Sequence, residues 1–497
     1  MIYVYGYVYM EMGMGAYTVP EEIRKMKPVG TIIKVVKGNY YVYTNSRHKD
    51  QESGKWKTDP GKLLGKIMPD LGFVPKETPA DGNGMTCFDY GQYILSSRLA
   101  GDDYRRLKEF FTVEEAAQIF ALASMFAFEG YVGLKPTEEL FETSLIAHDY
   151  PSLKYTYHRI SGLLSGIGRN DRILDFQRRC LEDADTLAVD GHVIPSDNEG
   201  SDLSFNGYKA REAKGEQMNL LVAIDVDTHL PLATRVFPGY MVDKSDFTEF
   251  LAHFGRIDGK LLIMDSGFYS KDNIDCIRRA GADYIMPLSS NMSAYKAASR
   301  PMKGRLSQFL YSTGRKTDLV EYREFAIDGK RLIYFRNESE KEKLTKEYMA
   351  KIGNGAKGYT EEGLEKGLKA FGVIILETSL QDKPEEIYRH YKTRWSIETY
   401  YDRIKNGSNF KELNLSEYGM VQGIAFVMML AGRIDQRILH AAKEVKKTSK
   451  DLVRLMRALK LFDNGKSRAL CNMKKEHIAV AKTLGFSYDL NLKCLDS

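Results

Sequence analysis

The order of strand and helix signals over residues 186–288 limits the fold of this chain more than any other feature. An apolar run at residues 186–194 is followed by two further strand patterns, at residues 219–227 and 232–237. Helix and strand patterns then alternate, with a helix predicted at 245–255, a strand at 260–265, a helix at 270–281 and a strand at 283–288. Strands followed by such an alternation are typical of an α/β sheet domain.

The next segment, residues 290–370, interrupts this alternation. Residues 322–327 and 331–336 have strand composition and flank Asp328-Gly329, a dipeptide that strongly favours a tight hairpin turn. A charged run follows at residues 338–351, and a strand pattern returns only at residues 372–378. We therefore predict a partly β insertion within the sheet domain.

A long helix is predicted from Pro384 to Lys405, since no Pro or Gly interrupts it before Gly407. At 100° per residue, four functional side chains lie within about 60° of one another on this helix: Tyr391, Arg394, Glu398 and Lys405. Two cations beside one carboxylate suit a site that binds metal and phosphate together. The alternative is a solvated helix face on which Arg394 and Glu398 form an ordinary i,i+4 ion pair.

Two aspartates stand where predicted strands end. Asp190 precedes Gly191 at the end of the first strand, and Asp265 closes the buried strand at residues 260–265. A carboxylate at the end of a core strand is costly unless it caps a helix or binds a cation. Helix capping by Asp265 and a turn at Asp190 are the alternatives to cation binding.

The spacing Y-x2-R-x3-E-x6-K resembles the YREK signature of bacterial insertion-sequence transposases of the DDE class, insertion-sequence family four and its relatives. The likeness extends from about residue 186 to residue 433. Pro238-Gly239 with Asp243 is similar to the family's P-G-N-x-x-D turn, and Asp265-Ser-Gly-Phe-Tyr is similar to the block of the second Asp. Two positions depart from the family pattern, because Tyr240 replaces the Asn of the turn and Ser379 follows Thr378 where the family has Asn.

The resemblance implies an α/β fold with an RNase H-like catalytic core. Its carboxylates Asp190, Asp265 and Glu398 would be the catalytic residues and hold two Mg²⁺ ions, with Mn²⁺ able to substitute. Tyr391, Arg394 and Lys405 would bind DNA beside the scissile phosphate. The implied activity is cleavage at transposon ends and strand transfer into target double-stranded DNA, by a homodimer in the DNA complex. The alternatives are a nuclease on the same core that does not transpose and a DNA-binding protein with an inactive site.

The chain is predicted to consist of six segments. They are an N-terminal β-rich region at 1–111, a helical region at 112–185, the first part of the catalytic core at 186–289, the insertion at 290–370, the second part of the core at 371–435 and a basic helical C-terminal region at 436–497. Recognition of the DNA ends is expected outside the core, within residues 1–180. The basic, turn-rich stretch from Arg47 to Lys66 and the helices after Thr112 are available for it.

Composition adds little about partners. The chain has 72 basic and 67 acidic residues, a net charge of +5, which is too small to indicate nucleic-acid binding by itself. Its 5 cysteines are scattered and form no C-x-x-C pair, which excludes a zinc finger and suits a reducing cytoplasm. The longest apolar run, residues 423–432, is far shorter than the roughly 20 residues that cross a bilayer. We expect a soluble, cytoplasmic protein without a membrane partner.

Weaker candidates flank these motifs. Trp395 is expected to be packed, with base stacking as the alternative. His192 is expected to be an ordinary loop residue, although it could touch a bound phosphate. Asp225 and Asp227 are expected to form a turn. The last candidates lie between the first two strands and could contact the DNA backbone or simply be solvated: Lys209, Arg211 and Lys214.

Overall fold

The structure, a computed structural model, describes residues 19–36, 38–49, 56–68, 72–75, 86–150, 153, 155–198, 200–207, 215–241, 243–299, 305–314, 316–406, 413–464 and 467–488. The chain divides into two units. The first comprises residues 1–86 with 463–468, and the second comprises residues 87–462 with 469–497.

The first unit is built on an antiparallel sheet in the order β1-β2-β3-β4. Its elements are α1 (Glu21–Lys25), β1 (Thr31–Val36), β2 (Asn39–Lys49), β3 (Trp56–Met68) and β4 (Gly72–Pro75). Strands β1 and β2 form a hairpin that turns at Gly38, with Val36 paired to Asn39 and Gly38 at a φ of 78°. The expectation of a turn-rich stretch after Arg47 is wrong where the structure describes it, because residues 56–68 form β3, a long partner for β2.

A helical layer opens the second unit. Its elements are β5 (Thr86–Asp89), α2 (Gly91–Phe110), α3 (Val113–Glu129), α4 (Leu134–Glu142), α5 (Leu145–Asp149), α6 (Tyr157–Gly168) and α7 (Arg172–Leu181). The predicted start at Thr112 is confirmed: the Thr112 side chain accepts from the Glu115 N–H, and the Glu115 carboxylate accepts from the Thr112 N–H. This capping box satisfies two N–H groups that a helix start leaves unpaired.

The predicted strands and helices of residues 186–288 are all present. They are β6 (Thr186–Pro195), β7 (Phe205–Asn206), β8 (Glu216–Asp225), β9 (Pro231–Pro238), α8 (Asp243–Phe254), β10 (Leu261–Met264), α9 (Lys271–Arg279) and β11 (Asp283–Pro287). The sheet runs β9-β8-β6-β10-β11, in which β8 is antiparallel to both β9 and β6, while β10 is parallel to β6 and to β11. The chain is therefore a mixed α/β protein.

The strands between residues 305 and 378 extend this same sheet. The elements after β11 are α10 (Ser293–Ala298), β12 (Ser307–Ser312), β13 (Thr317–Ile327), β14 (Lys330–Asn337), α11 (Glu338–Gly353), α12 (Glu361–Gly367) and β15 (Val373–Thr378). Strand β15 pairs with β11 on one side and β14 on the other, so the described strands give a ten-stranded sheet. The β13–β14 hairpin turns at Asp328-Gly329 as predicted, with positive φ at both residues.

The C-terminal part is helical except for two short strands, which the prediction of an entirely helical remainder missed. Its elements are α13 (Pro384–Thr393), α14 (Trp395–Asn406), α15 (Tyr418–Glu444), α16 (Ser449–Ala458), β16 (Lys460–Asp463), β17 (Arg468–Cys471) and α17 (Lys475–Thr483). Helix α15 is the central helix of the second unit. It meets α6 so closely that a Cβ on Gly168 would lie 1.8 Å from the Gly419 carbonyl oxygen.

Helix length and apolarity bear on membrane crossing. Within the described residues, no single helix is long and apolar enough to span a bilayer. By length and composition alone, the pair α3 and α4, bent by 96°, would pass the same test.

Candidate active site

The expectation that Asp190 stands at a strand end or in a turn is wrong, because it lies in the middle of β6, as does His192, which was expected in a loop. Asp265 directly follows β10, the parallel neighbour of β6. Strand β6 pairs with β10 in a register that sets Val189 opposite Met264, so Asp190 and Asp265 are the next residues along the two chains. Each side chain is half-buried and accepts a hydrogen bond from the following N–H, that of Gly191 at 2.9 Å and that of Ser266 at 2.7 Å. The sheet thus brings two carboxylates of distant sequence position together.

The helix predicted from Pro384 to Lys405 is in fact two helices. Helix α13 ends at Thr393 and α14 begins at Trp395, with Arg394 between them. The Arg394 N–H bonds the carbonyl of Tyr391, and the Ile397 N–H bonds the carbonyl of Arg394, which are i,i+3 contacts. This tightened turn breaks the regular helical ladder without any Pro or Gly.

Arg394 is the centre of positive charge at this site. Its Nη2 donates to Glu398 Oε1 at 2.5 Å, and its guanidinium carbon lies 5.9 Å from the centre of the Tyr391 ring. Burial lowers the pKa of Arg394, but Tyr391 and the three carboxylates outweigh it and raise the pKa overall. The electrostatic partners of this one guanidinium therefore include all three acidic residues of the predicted site: Asp265, Glu398 and Asp190.

Tyr391 remains a protonated phenol at neutral pH. Burial is the largest effect and raises its pKa, and the Asp265 carboxylate acts in the same direction against the opposing effect of Arg394. A phenol that keeps its proton can donate a hydrogen bond to an anion.

Helix α14 is fixed against the strand that carries Asp190. The Tyr401 hydroxyl donates to the Asp190 carbonyl oxygen at 2.8 Å, and Ile397 is fully buried. On the far side, Arg403 binds both carboxylate oxygens of Asp435 in α15, at 2.7 and 2.6 Å. These contacts fix α14, and with it Glu398 one turn before Tyr401, beside the part of β6 that carries Asp190.

The described residues contain no group of three His, Cys, Asp or Glu side chains placed to hold a metal ion. Glu398 is 44% exposed and its described contact is the bond to Arg394. The donor set nevertheless has the right chemistry for a hard divalent cation, which prefers carboxylate oxygens. Assignment of Asp190, Asp265 and Glu398 as metal ligands stays a prediction.

Other predicted residues have mixed outcomes. Lys405 lies in α14, but its side chain is outside the described residues, as are Lys209, Arg211 and Lys214. The expectation that Trp395 is packed is wrong. Trp395 is the first residue of α14, directly after the helix break, and its side chain is 70% exposed. The turn at Asp225 is confirmed, since its carboxylate accepts from the N–H groups of Asp227 and Thr228.

Two features of the site were not predicted. The first is the hydrogen bond from Tyr401 to the Asp190 carbonyl, since the apolar stripe of Ile397, Tyr401 and Ile404 predicts only that this helix packs on the sheet. Glu377 was missed as well. Its side chain is fully buried within the apolar strand β15 and contacts Tyr269, four residues after Asp265. A single carboxylate inside an otherwise apolar strand pattern is the signal that could have pointed to it.

Comparison with known proteins identifies the family of this α/β protein, whose site combines three acidic residues with one arginine. The family described as "Transposase DDE domain" matches residues 182–431, half of the 497-residue chain. The matched region contains β6 through most of α15, and with them every residue of the site. The chain belongs to the DDE transposase family and is related to bacterial insertion-sequence transposases.

Two relatives come from Bacillus thuringiensis subsp. finitimus. The transposase for insertion sequence element IS231E is 25% identical over 252 residues, which are 46% of this chain and 50% of that protein. The transposase for insertion sequence element IS231D is 23% identical over 296 residues, 54% of this chain and 59% of that protein. The chain thus spans between half and three fifths of the length of these relatives.

A structural likeness is more distant. The piggyBac transposase in a synaptic complex with hairpin DNA, solved by cryo-electron microscopy, aligns over 70% of this chain and 71% of that one, with a TM-score of 0.37 and 9% identity. The site described above is therefore interpreted from its own geometry.

Proposed function

We propose that this chain is a DDE transposase that binds double-stranded DNA, cleaves it at the ends of its element and joins the cleaved strand to target DNA. The observation that carries this proposal is the meeting of Asp190 and Asp265 on adjacent strands beside the helix of Glu398, with one arginine among the three carboxylates. Family membership over the same residues supports the same activity.

The topology supports an RNase H-like core. Its first three strands, β6, β8 and β9, are successively antiparallel, and β10 and β11 then add in parallel on the other side of β6. In this interpretation the first aspartate lies on the central strand and the second at the end of its parallel neighbour. The end of a parallel strand, where Asp265 lies, is a position at which α/β sheets commonly bind their ligands.

Asp190, Asp265 and Glu398 would together hold two divalent cations, and oxygen ligands favour Mg²⁺ or Mn²⁺. When bound, such a pair supplies the Lewis acidity that in-line phosphodiester cleavage requires. Glu398 accepts from Arg394 through Oε1 and its side chain is 44% exposed, so the carboxylate keeps lone pairs for a cation. The N–H groups of Arg394 that Glu398 does not use can bind a DNA phosphate.

The remaining side chains would hold the DNA strand. Arg394 can bind a phosphate through two N–H groups, and Tyr391 can donate its phenolic hydrogen to the same or the next phosphate. Lys405 lies seven residues after Glu398 in α14 and would add a further phosphate contact. Trp395, exposed beside Arg394, offers a ring for base stacking.

The direct test uses purified full-length protein and linear DNA that carries the genomic flanks of its reading frame. We expect Mg²⁺-dependent cleavage at the element's ends, followed by joining of the 3′-hydroxyl to a supercoiled target plasmid. A homodimer should assemble on the paired ends, which light scattering of the complex measures. Cleavage without joining would indicate a nuclease, and DNA binding without cleavage in Mg²⁺ or Mn²⁺ would contradict the proposal.

A further inference from the structure

A buried carboxylate lies behind the Asp265 turn. Glu377, in the middle of the sheet on β15, is fully buried between apolar neighbours. Its Oε2 accepts from the Tyr269 hydroxyl, its Oε1 accepts from the Tyr284 hydroxyl at 2.9 Å, and the Lys330 ammonium lies 3.3 Å from Oε1. The Lys330 Nζ also donates to the Tyr269 oxygen at 2.8 Å.

Such a network is a poor way to gain stability. Glu377 is fully buried, whereas Lys330 is 34% exposed. Desolvating a carboxylate costs several kcal/mol, and well-packed apolar residues in place of a buried ion pair are often equally stable or better. Burial and the nearby carboxylate raise the pKa of Tyr269, so its phenol keeps the proton that it donates. The arrangement is directional, because each polar atom fixes the position of the next.

The members of this network come from parts of the chain whose relative positions matter for the proposed reaction. Tyr269 ends the turn that Asp265 begins, since the Phe268 N–H bonds the Asp265 carbonyl and the Tyr269 N–H bonds that of Ser266. Lys330 is the first residue of β14, directly after the hairpin turn of the inserted strands. Glu377 lies seven residues before Pro384, where the helices that carry Arg394 and Glu398 begin.

We propose that Lys330, Tyr269 and Glu377 form a positioning triad through which the inserted β13–β14 hairpin sets the place of Asp265. The proposal rests on the proposed function and adds a role for the insertion. Lys330 holds the phenol, and the phenol and Glu377 hold the end of the Asp265 turn. The hairpin therefore contributes to the reaction through the placement of Asp265.

The chain offers a matched control. Tyr284 makes a hydrogen bond to the same carboxylate, but it lies in β11 and contacts neither the Asp265 turn nor the hairpin through that bond. Lys330→Met and Tyr269→Phe break the triad, and Lys330→Arg keeps the cation. Tyr284→Phe removes the control bond together with a contact to Arg278, which lies outside the triad. Tyr269→Phe deletes one oxygen and serves where Lys330→Met fails to fold.

Two measurements are made on each full-length variant. The first is hydrogen exchange of the peptide containing residues 265–270, and the second is cleavage of end DNA with separate kcat and KM. Lys330→Met and Tyr269→Phe should speed the exchange about tenfold and lower kcat by about 10- to 100-fold, the effect of a small misplacement, with KM unchanged. Lys330→Arg should recover most of both, and Tyr284→Phe should change neither by more than about twofold.

Equal effects of Tyr284→Phe and Lys330→Met on exchange and kcat would overturn the proposal, because the network would then be only structural. Unchanged exchange and kcat in Lys330→Met would overturn it as well. If the wild-type protein cleaves no DNA, the proposed function fails, and the exchange measurement alone still decides whether Lys330 and Tyr269 hold the Asp265 turn.

Discussion

Arg394 donates a hydrogen bond from Nη2 to Glu398 Oε1 at 2.5 Å, although the first residue lies between two helices and the second lies within α14. The pair has i,i+4 spacing, which on an exposed helix is worth only about 0.3–0.5 kcal/mol. Here the arginine side chain is 17% exposed and also feels the charges of Asp190 and Asp265. Its partners are consequently those of a site and not of a solvated helix face.

The first prediction concerns this arginine. Arg394→Ala should weaken binding of end DNA about tenfold and slow strand joining, because a bidentate phosphate contact is lost. The Mg²⁺ concentration that gives half-maximal cleavage should change little. Arg389, an exposed residue of α13, provides the control, and Arg389→Ala should leave both quantities near wild type. A large shift in the Mg²⁺ requirement with unchanged DNA affinity would mean that Arg394 acts on Glu398 and does not hold DNA.

The second prediction concerns the three carboxylates. Asp190→Ala, Asp265→Ala and Glu398→Ala should each lower Mg²⁺-dependent cleavage by about a thousandfold or more, because residues that act as one unit fail together. DNA affinity and thermal unfolding should stay close to wild type. Asp402→Asn changes an exposed carboxylate one turn beyond Glu398 and serves as the control. A Glu398→Ala protein that nicks end DNA at the parental rate would exclude Glu398 from the site.

The third prediction uses the exposure of Trp395. A large apolar side chain that is 70% exposed buries little area, so Trp395→Ala should change the free energy of unfolding by less than about 0.5 kcal/mol. Its loss should weaken binding of single-stranded or frayed end DNA by about 1–3 kcal/mol. Fluorescence titration measures the affinity of both proteins for this DNA. The control is Tyr157→Ala, which removes an exposed aromatic side chain on α6. Identical affinities of Trp395→Ala and wild type would remove base stacking from the proposed role.

Local chemistry explains which parts of the fold were predictable. Asp328-Gly329 predicts its hairpin because both residues must adopt positive φ, which this dipeptide tolerates. Thr112 and Glu115 predict a helix start because each side chain caps the other's N–H. Apolar strand runs between helices likewise predict the central sheet. In each case neighbouring residues along the chain carry the whole signal.

The remainder depends on contacts between distant residues. No Pro or Gly marks the helix break at Arg394. The helix after the break is held by Tyr401 and Arg403, which bond to Asp190 and Asp435. The sequence also does not reveal that the inserted strands join the central sheet through β15. Residues 1–180, including the helices after Thr112, are predicted to recognise the DNA ends. In the structure several of these helices pack into the core, since Phe111 after α2 and Phe176 of α7 contact Phe426 of α15, and Gly168 of α6 lies against Gly419 of α15. A deletion of residues 1–180 would therefore expose the core.

The last prediction concerns stability and pH at the start of α3. The Arg172 guanidinium and the Thr112 N–H hold the pKa of the Glu115 carboxyl at about 2, although partial burial opposes them. A carboxylate whose pKa is lower in the folded than in the unfolded state stabilises the fold above its unfolded pKa, near 4.3, and loses that contribution as the pH falls toward its folded value. After allowance for solvent screening, we expect Glu115→Gln to cost about 1–2 kcal/mol at pH 7.

Urea unfolding of wild type and Glu115→Gln between pH 7 and pH 2 measures this cost. The difference in unfolding free energy should stay constant down to about pH 5 and shrink steadily below it, because the wild-type carboxylate is then increasingly protonated in the unfolded chain. Glu114→Gln changes the exposed neighbouring carboxylate and should show little difference at any pH. A Glu115→Gln difference that stays constant down to pH 2 would show that the variant loses packing or capping geometry and not the ion pair with Arg172.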